Sequence, residues 1–252
     1  VRRLRRSWTV AAAAWLVAAA SFAPAALAGP TGNEPTINFF SGVVARMVAV
    51  PAIVEVQTGY MTMASKSGQT SSFHYDWGFG AAPKGYVPAK ETITYAQNHA
   101  KILWMTDLLT PRSPACAAGT PCVLDPPIQL FVTRTAAFAG LATGAGGAVA
   151  CYIREPFRAM PYRAGVQSWE TSGAYLPMVA HGNQVLITTS YVWSDGQPVT
   201  ETDSVDATTR LIRASVFHVG AGPRTGEPAF GYAETDAALP HAPAAPAVTL
   251  CR

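Results

Sequence analysis

With 252 residues, 49% of them hydrophobic and only 13% charged, the chain has enough apolar material for a buried core and is neither a disordered tail nor a disulfide-only miniprotein. Its formal charge of +3 is misleading, because Arg2, Arg3, Arg5 and Arg6 crowd one end, and without them 14 positive charges face 15 negative ones. That near balance removes the electrostatic case for a nucleic-acid partner.

The first 28 residues have the layout of an export signal. Arg2 to Arg6 form a positive head, Val10 to Phe22 an Ala-rich apolar stretch, and Ala26-Leu27-Ala28 a small-residue cleavage site. The alternative, a retained anchor over residues 10 to 28, is weakened by Ser21, Pro24 and the many alanines where leucines would be expected. Arg5-Arg6-Ser7-Trp8 leaves both Sec and twin-arginine export open. The expectation is a secreted, periplasmic or cell-envelope protein with no transmembrane span in the mature chain.

Residues 29 to 35 read as a linker, and Thr36 as the N-cap of a helix over 36 to 50 with Ile37, Phe40, Val44, Met47 and Val48 on one face. After Pro51 the period changes to two. Residues 53 to 64 and 72 to 79 alternate around a turn at Gly68-Gln69, and the second run sets Phe73, Tyr75, Trp77 and Phe79 against Ser72, His74, Asp76 and Gly78. A further hairpin is predicted from residues 91 to 96 and 102 to 109 around Asn98. Sequential pairing of these strands gives an antiparallel meander.

Residues 111 to 127 form a Pro/Cys loop. Residues 128 to 142 fit strand or helix, with Ile128 to Thr135 favouring strand, and 143 to 150 a Gly-rich loop without the Lys-Ser/Thr of a phosphate-binding loop. Alternation returns in residues 184 to 193, turns at Ser194-Asp195-Gly196-Gln197, runs back over 199 to 205 and recurs over 209 to 219. From Pro240 to Cys251 the tail is Pro/Ala-rich. The sum is an α+β fold: a curved antiparallel sheet, an open half-barrel, with one or two covering helices, in a single domain over residues 36 to 239.

Cys116, Cys122, Cys151 and Cys251 permit three pairings in an oxidising compartment. Cys116 with Cys122 and Cys151 with Cys251 is preferred, because the first pair closes a short Gly/Pro loop and the second ties down the tail. The histidines at 74, 99, 181, 218 and 241 do not supply zinc spacing, so neither metal nor other cofactor is expected.

The opening helix, the segment Asn98-His99-Ala100-Lys101-Ile102-Leu103-Trp104 and the segment Thr202 to Ile212 together resemble the periplasmic lipoprotein carriers and their relatives of the LolA, LppX and RseB type. The resemblance covers most of residues 36 to 220. It implies an open half-barrel whose mouth is closed by helices, while residues 111 to 183 carry more loop than the pattern contains.

No nucleophile or metalloprotease motif is present. His74 with Asp76 fits a base and its orienting carboxylate, or simply the wet side of a strand. Asp203 and Asp206 fall on opposite faces of one strand and fit a turn better than a glycoside-hydrolysing pair. Arg154, Arg158 and Arg163 fit a solvated loop better than an anion site. The aromatic stripes carry more weight: Phe73, Tyr75, Trp77, Phe79, Trp104, Tyr191 and Trp193 are the candidate ligand-binding residues, with Phe40, Val44 and Met47 on the helix as a lid. The functional expectation is a non-enzymatic carrier or sensor of a lipid or other apolar ligand. A structural or partner-binding envelope domain, including an RseB-like sensing domain with an envelope protein partner, and a hydrolase with an unrecognised site are the alternatives.

Overall fold

The computed structural model describes residues 30–64, 74–79, 87–99, 101–111, 128–143, 148–155, 173–192, 196–221 and 229–251. The predicted signal segment, the Gly68-Gln69 turn, Phe73, Cys116, Cys122, Arg158, Arg163 and Trp193 lie outside them. The elements in chain order are β1 (Thr31–Gly32), α1 (Glu34–Ala49), β2 (Ala52–Ala64), β3 (His74–Phe79), β4 (Val87–Asn98), β5 (Lys101–Pro111), β6 (Ile128–Thr133), β7 (Ala137–Thr143), β8 (Ala148–Val149), β9 (Ile153–Glu155), β10 (Ala174–Tyr175), β11 (Val179–His181), β12 (Gln184–Val192), β13 (Pro198–Asp206), β14 (Ile212–Val219) and β15 (Phe230–Leu239). Among the described residues they form one curved, open, mostly antiparallel 15-stranded sheet with a single helix, an α+β arrangement as expected.

Two antiparallel runs form the body of this sheet, β2-β4-β5-β6-β7 from residues 52–143 and β12-β13-β14-β15 from residues 184–239. They join where β15 lies along β2, with Asp236 opposite Glu55 and Ala238 opposite Ile53. β2 is long enough to have two partners on that edge. Residues 52–57 take β15, and residues 59–64 take β3. Its other edge is occupied by β4 from Ala52 to Met61. The expected four-strand meander is therefore corrected: β3 folds back on β2 but does not pair with β4, because the two take opposite edges of β2 and β2 lies between them. Residues 137–143, ambiguous from their alanines, are strand, paired to β6.

The N-cap of α1 is Asn33, three residues before the expected Thr36. The Asn33 Oδ1 accepts from the Thr36 backbone N–H at 3.1 Å and from the Thr36 hydroxyl at 2.8 Å. Pro35 is tolerated there because a first-turn residue has no intrahelical acceptor for an N–H. Thr36 is fully buried and its Oγ1 also accepts from the Met178 N–H at 3.0 Å, so it serves as a tie between α1 and the chain entering β11. Asn33→Ala is expected to destabilise the fold by about 1 kcal/mol, the usual worth of an N-cap side chain, measurable by urea unfolding.

Helix α1 lies over one end of the sheet. Phe40, Val43, Val44 and Met47 pack with Ile53, Tyr175, Val185, Ile187, Val205, Leu211 and Ile212 in a continuous apolar core. Gln97 fastens the end of the helix, its Nε2 donating to the Met47 and Val50 carbonyls at 2.8 Å each. The register of β13 on β14 shifts between Ser204 and Val205. That irregularity changes the phase of β14, so Ile212 and Phe217 are both buried although simple alternation puts them on opposite faces.

At the other end of the sheet the outer face is also covered. Phe131 stacks on Phe138 at 6.0 Å, and Tyr152 lies over both. The tail is held there by the Cys151–Cys251 disulfide, the preferred pairing for these cysteines. The Tyr152 N–H donates to the Thr249 carbonyl and the Cys251 N–H to the Tyr152 carbonyl. No described helix is long and apolar enough to cross a membrane.

Candidate functional site

In several strands the positions in phase with apolar core residues are acidic. Glu55 and Gln57 continue the phase of Ile53 in β2, Glu91 that of Ile93 in β4, and Asp107 that of Met105 and Leu109 in β5. Val199, Glu201, Asp203 and Val205 alternate inward in β13, and Tyr232, Glu234 and Asp236 share one face of β15. The register aligns these positions across neighbouring strands: Asp203 with Ser215, Ser215 with Glu234, Glu234 with Gln57 and Gln57 with Glu91. Asp236, Glu55, Ile93 and Asp107 form the adjacent row. A carboxylate belt thus crosses the helix-bearing face, beside the core under α1. Glu91, Glu201 and Asp203 are at most 2% exposed.

Burial of so many acids demands protons or partners. Glu91 and Asp107 are in hydrogen-bond contact, and Gln57 Nε2 donates to Glu91 Oε2. Desolvation, then the charge of Asp107, raises Glu91 well above the normal range; desolvation raises Asp107 from 3.8 to about 7. Asp107 keeps some residual exposure, but its Oδ1 is shut off from solvent.

Glu201 and Asp203 repeat the arrangement. Tyr191 donates its hydroxyl to Glu201 Oε2 at 2.9 Å, and Ser215 Oγ donates to Asp203 Oδ1 at 2.7 Å. Desolvation and the neighbouring Asp203 raise Glu201 well above its normal value, while desolvation raises Asp203 from 3.8 to about 6. Two carboxyls in contact with raised pKa values are the arrangement in which a pair shares one proton, and Asp107 Oδ1 and Glu201 Oε1 are buried without another hydrogen-bond partner. Burial raises the Tyr232 hydroxyl as well, followed by the charges of Glu234, Glu201, Glu91 and Glu55, so the two pairs and the β2/β15 acids form one electrostatic unit around that ring.

The belt divides two apolar regions of the same face. On one side is the helix-covered core. On the other, Val199, Phe217 and Val219 are buried beneath the partly exposed Tyr191, Phe230 and Tyr232. Phe217 and Tyr232 stack at 4.4 Å and 6°.

Tyr191 therefore belongs to an aromatic cluster beside the belt. Of β3, the backbone placement is described: positions 75, 77 and 79 stand opposite Met63, Met61 and Gly59, continuing the odd-numbered register of Glu55 and Gln57. Trp104 is not brought together with Tyr191. It lies in the row of Thr133, out of phase with Met105, and meets Phe131 edge-on at 6.2 Å on the opposite face. Phe40, Val44 and Met47, expected as a lid, are at most 5% exposed and packed solid on the sheet. Opening them would expose several large apolar side chains at about 1.5–3 kcal/mol each. A hollow of about 500 Å³ lies beside the helix, lined by Gly42, Arg46 and Thr208–Arg210, and another of about 510 Å³ at the ends of β13–β15, lined by Pro198, Thr200, His218 and Phe230.

Asp203 and Asp206 separate as expected. Asp203 is buried, and Asp206 accepts from the Thr208 and Thr209 N–H groups at 3.1 and 2.7 Å to shape the following turn. Arg154 is exposed. The acidic belt itself was not anticipated. Its signal in the sequence is an acid in the apolar phase of strand after strand.

No protein-family model matches the chain, and no curated protein matches it. Among solved structures it is similar to a DUF1329 family protein from Desulfovibrio piger, at 9% identity and a TM-score of 0.29 over 82% of this chain and 92% of the other. It is also similar to a domain described as an outer membrane lipoprotein-sorting protein from Vibrio parahaemolyticus, at 9% identity and a TM-score of 0.26 over 80% of this chain and 89% of that one. At these scores the fold rests on the strand register of the chain itself.

Proposed function

We propose that this is an exported, non-enzymatic binding protein that holds a lipid or other apolar ligand on the helix-bearing face of its open sheet, as carrier or sensor. The observation that carries this reading is the unequal covering of that face. Helix α1 packs over one end, whereas at the other end Tyr191, Phe230 and Tyr232 are only partly buried, and among the described residues the cluster contains no helix side chain. Rings of this kind offer flat apolar area with a polar edge already satisfied, as the Tyr191 hydroxyl is by Glu201. An acyl chain laid on them gains about 0.8 kcal/mol per buried methylene without any catalytic group.

A hydrolytic role for the acid pairs is disfavoured by their contact. Glycoside-cleaving carboxyls stand about 5 Å or more apart to admit the sugar and water, whereas Glu91 with Asp107 and Glu201 with Asp203 hydrogen-bond directly. Native mass spectrometry of protein purified from its own host tests the reading. The expected result is an added lipid mass that diminishes in the Tyr191→Ala/Phe230→Ala double variant. Repeated ligand-free spectra, with no uptake of a fluorescent fatty-acid probe, would overturn it.

A further inference from the structure

At the seam between β15 and β2, Glu55, Glu234 and Asp236 bring one carboxylate oxygen each to within 4.8 Å of one another. Oxygens bound to a single calcium ion are separated by no more than about 5 Å, twice the calcium–oxygen distance, so these acids already satisfy the reach of one coordination sphere. Acidic clusters are common on proteins without an ion, and the cluster alone decides nothing.

The independent observation is Gln57. It is 1% exposed, stands directly opposite Glu234 and follows Glu55 on the same face of β2. Its Nε2 is used by Glu91 on β4, and its buried Oε1 has no hydrogen-bond donor. An orphaned buried acceptor costs about 1–3 kcal/mol. Gln57 is an amide outside both acid pairs, and its orphaned oxygen is an acceptor that cannot carry the proton itself. A cation supplies what it lacks.

We propose that Glu55, Glu234 and Asp236, with Gln57 Oε1 as a neutral fourth donor, form a site for a hard divalent cation, calcium in the first instance. The donor set is all oxygen, with no thiolate or imidazole, which selects calcium, magnesium or manganese over zinc and copper. The site lies where the two antiparallel runs of the sheet meet, so an ion there ties Glu234 and Asp236 of β15 to Glu55 and Gln57 of β2. It is independent of whatever occupies the aromatic cluster.

The test uses the full chain, stripped with EDTA and titrated with calcium chloride and, separately, magnesium chloride by calorimetry and thermal melting. Saturable binding of one calcium per chain, in the micromolar to millimolar range of calcium proteins, with a raised melting temperature, is expected. Asp236→Asn and Glu234→Gln should abolish both effects, and Gln57→Leu should weaken binding roughly tenfold. Asp206→Asn, at the end of β13 and away from the β15–β2 seam, should leave the calcium response intact. Terbium provides a second readout, because Tyr232 stands close enough to Glu234 and Glu55 to feel their charge and should sensitise its luminescence. Absence of saturable binding by calcium or magnesium at millimolar concentration would overturn the proposal, as would calcium binding that survives in the folded Asp236→Asn and Glu234→Gln proteins.

Discussion

Lowering the pH from about 8 to about 5 should stabilise this protein, with the melting temperature rising on the order of 10 °C. The sign follows from the acid pairs. A carboxyl whose folded pKa exceeds its unfolded value contributes stability that is fully present below the unfolded pKa and is lost as pH rises through the folded one. Asp107 goes from 3.8 to about 7 and Asp203 from 3.8 to about 6, so the window runs from about 4 to about 7. At about 1.4 kcal/mol per pH unit, Asp107 alone accounts for on the order of 3 kcal/mol between pH 7 and pH 5. Glu91 and Glu201 shift in the same direction for the same reason, desolvation first and the neighbouring acid second. Asp206 has the opposite sign, since backbone and side-chain donors of Thr209 lower its pKa; its stabilisation is lost only below the window. Thermal melts across the range check the slope. Asp107→Asn should flatten it and raise the melting temperature at pH 8, because the amide keeps the shape and removes the charge. A protein that becomes less stable on acidification through this range would show that the belt is not holding protons.

The second large effect concerns the tail. Cys151 and Cys251 are 100 residues apart, and closing a loop of that size in the unfolded chain is worth about 4–5 kcal/mol on the chain-entropy account. The native tail has few other anchors. Residues 241–249 are mostly exposed, as is Leu250, and the backbone ties run chiefly to Tyr152. Cys251→Ser, or reduction under native conditions, is therefore expected to lower stability by up to about 4 kcal/mol in guanidinium unfolding. It should also release the tail to proteases before the sheet is cut. An unchanged unfolding midpoint with an intact tail would mean that the contacts of Tyr152 suffice without the covalent link.

Most strands were legible because their burial alternates with the pleat. β12 shows Val185, Ile187 and Thr189 inward, and the neighbouring hairpin returns Val199 and Val205 to the same face. Helix α1 was legible for the corresponding reason, with Phe40, Val44 and Met47 spaced for one face, although its start was displaced by a cap that Asn33 makes as readily as Thr36. β15 was missed altogether. Its inward positions beyond Phe230 and Tyr232 are Glu234 and Asp236, its outward ones Gly231 and Ala233, so neither propensity nor hydrophobic phase marks a strand that lies in the interior of the sheet.

The candidate site followed the same division. Local pattern located aromatic residues one strand at a time, and it named Trp104 and Tyr191 in one candidate set, whereas the register places them on opposite faces. What the amino-acid sequence determined by itself was the α+β class, the helix, most strands, and a charge balance offering no electrostatic footing for nucleic acid. Only the tertiary structure decided that β15 lies against β2 and that the acids of β2, β4, β5, β13 and β15 form one belt. The physical reason is range. Alternation along a strand is written in neighbours two residues apart, whereas the meeting of Glu55 with Glu234 and Asp236 depends on pairing between strands at opposite ends of the chain.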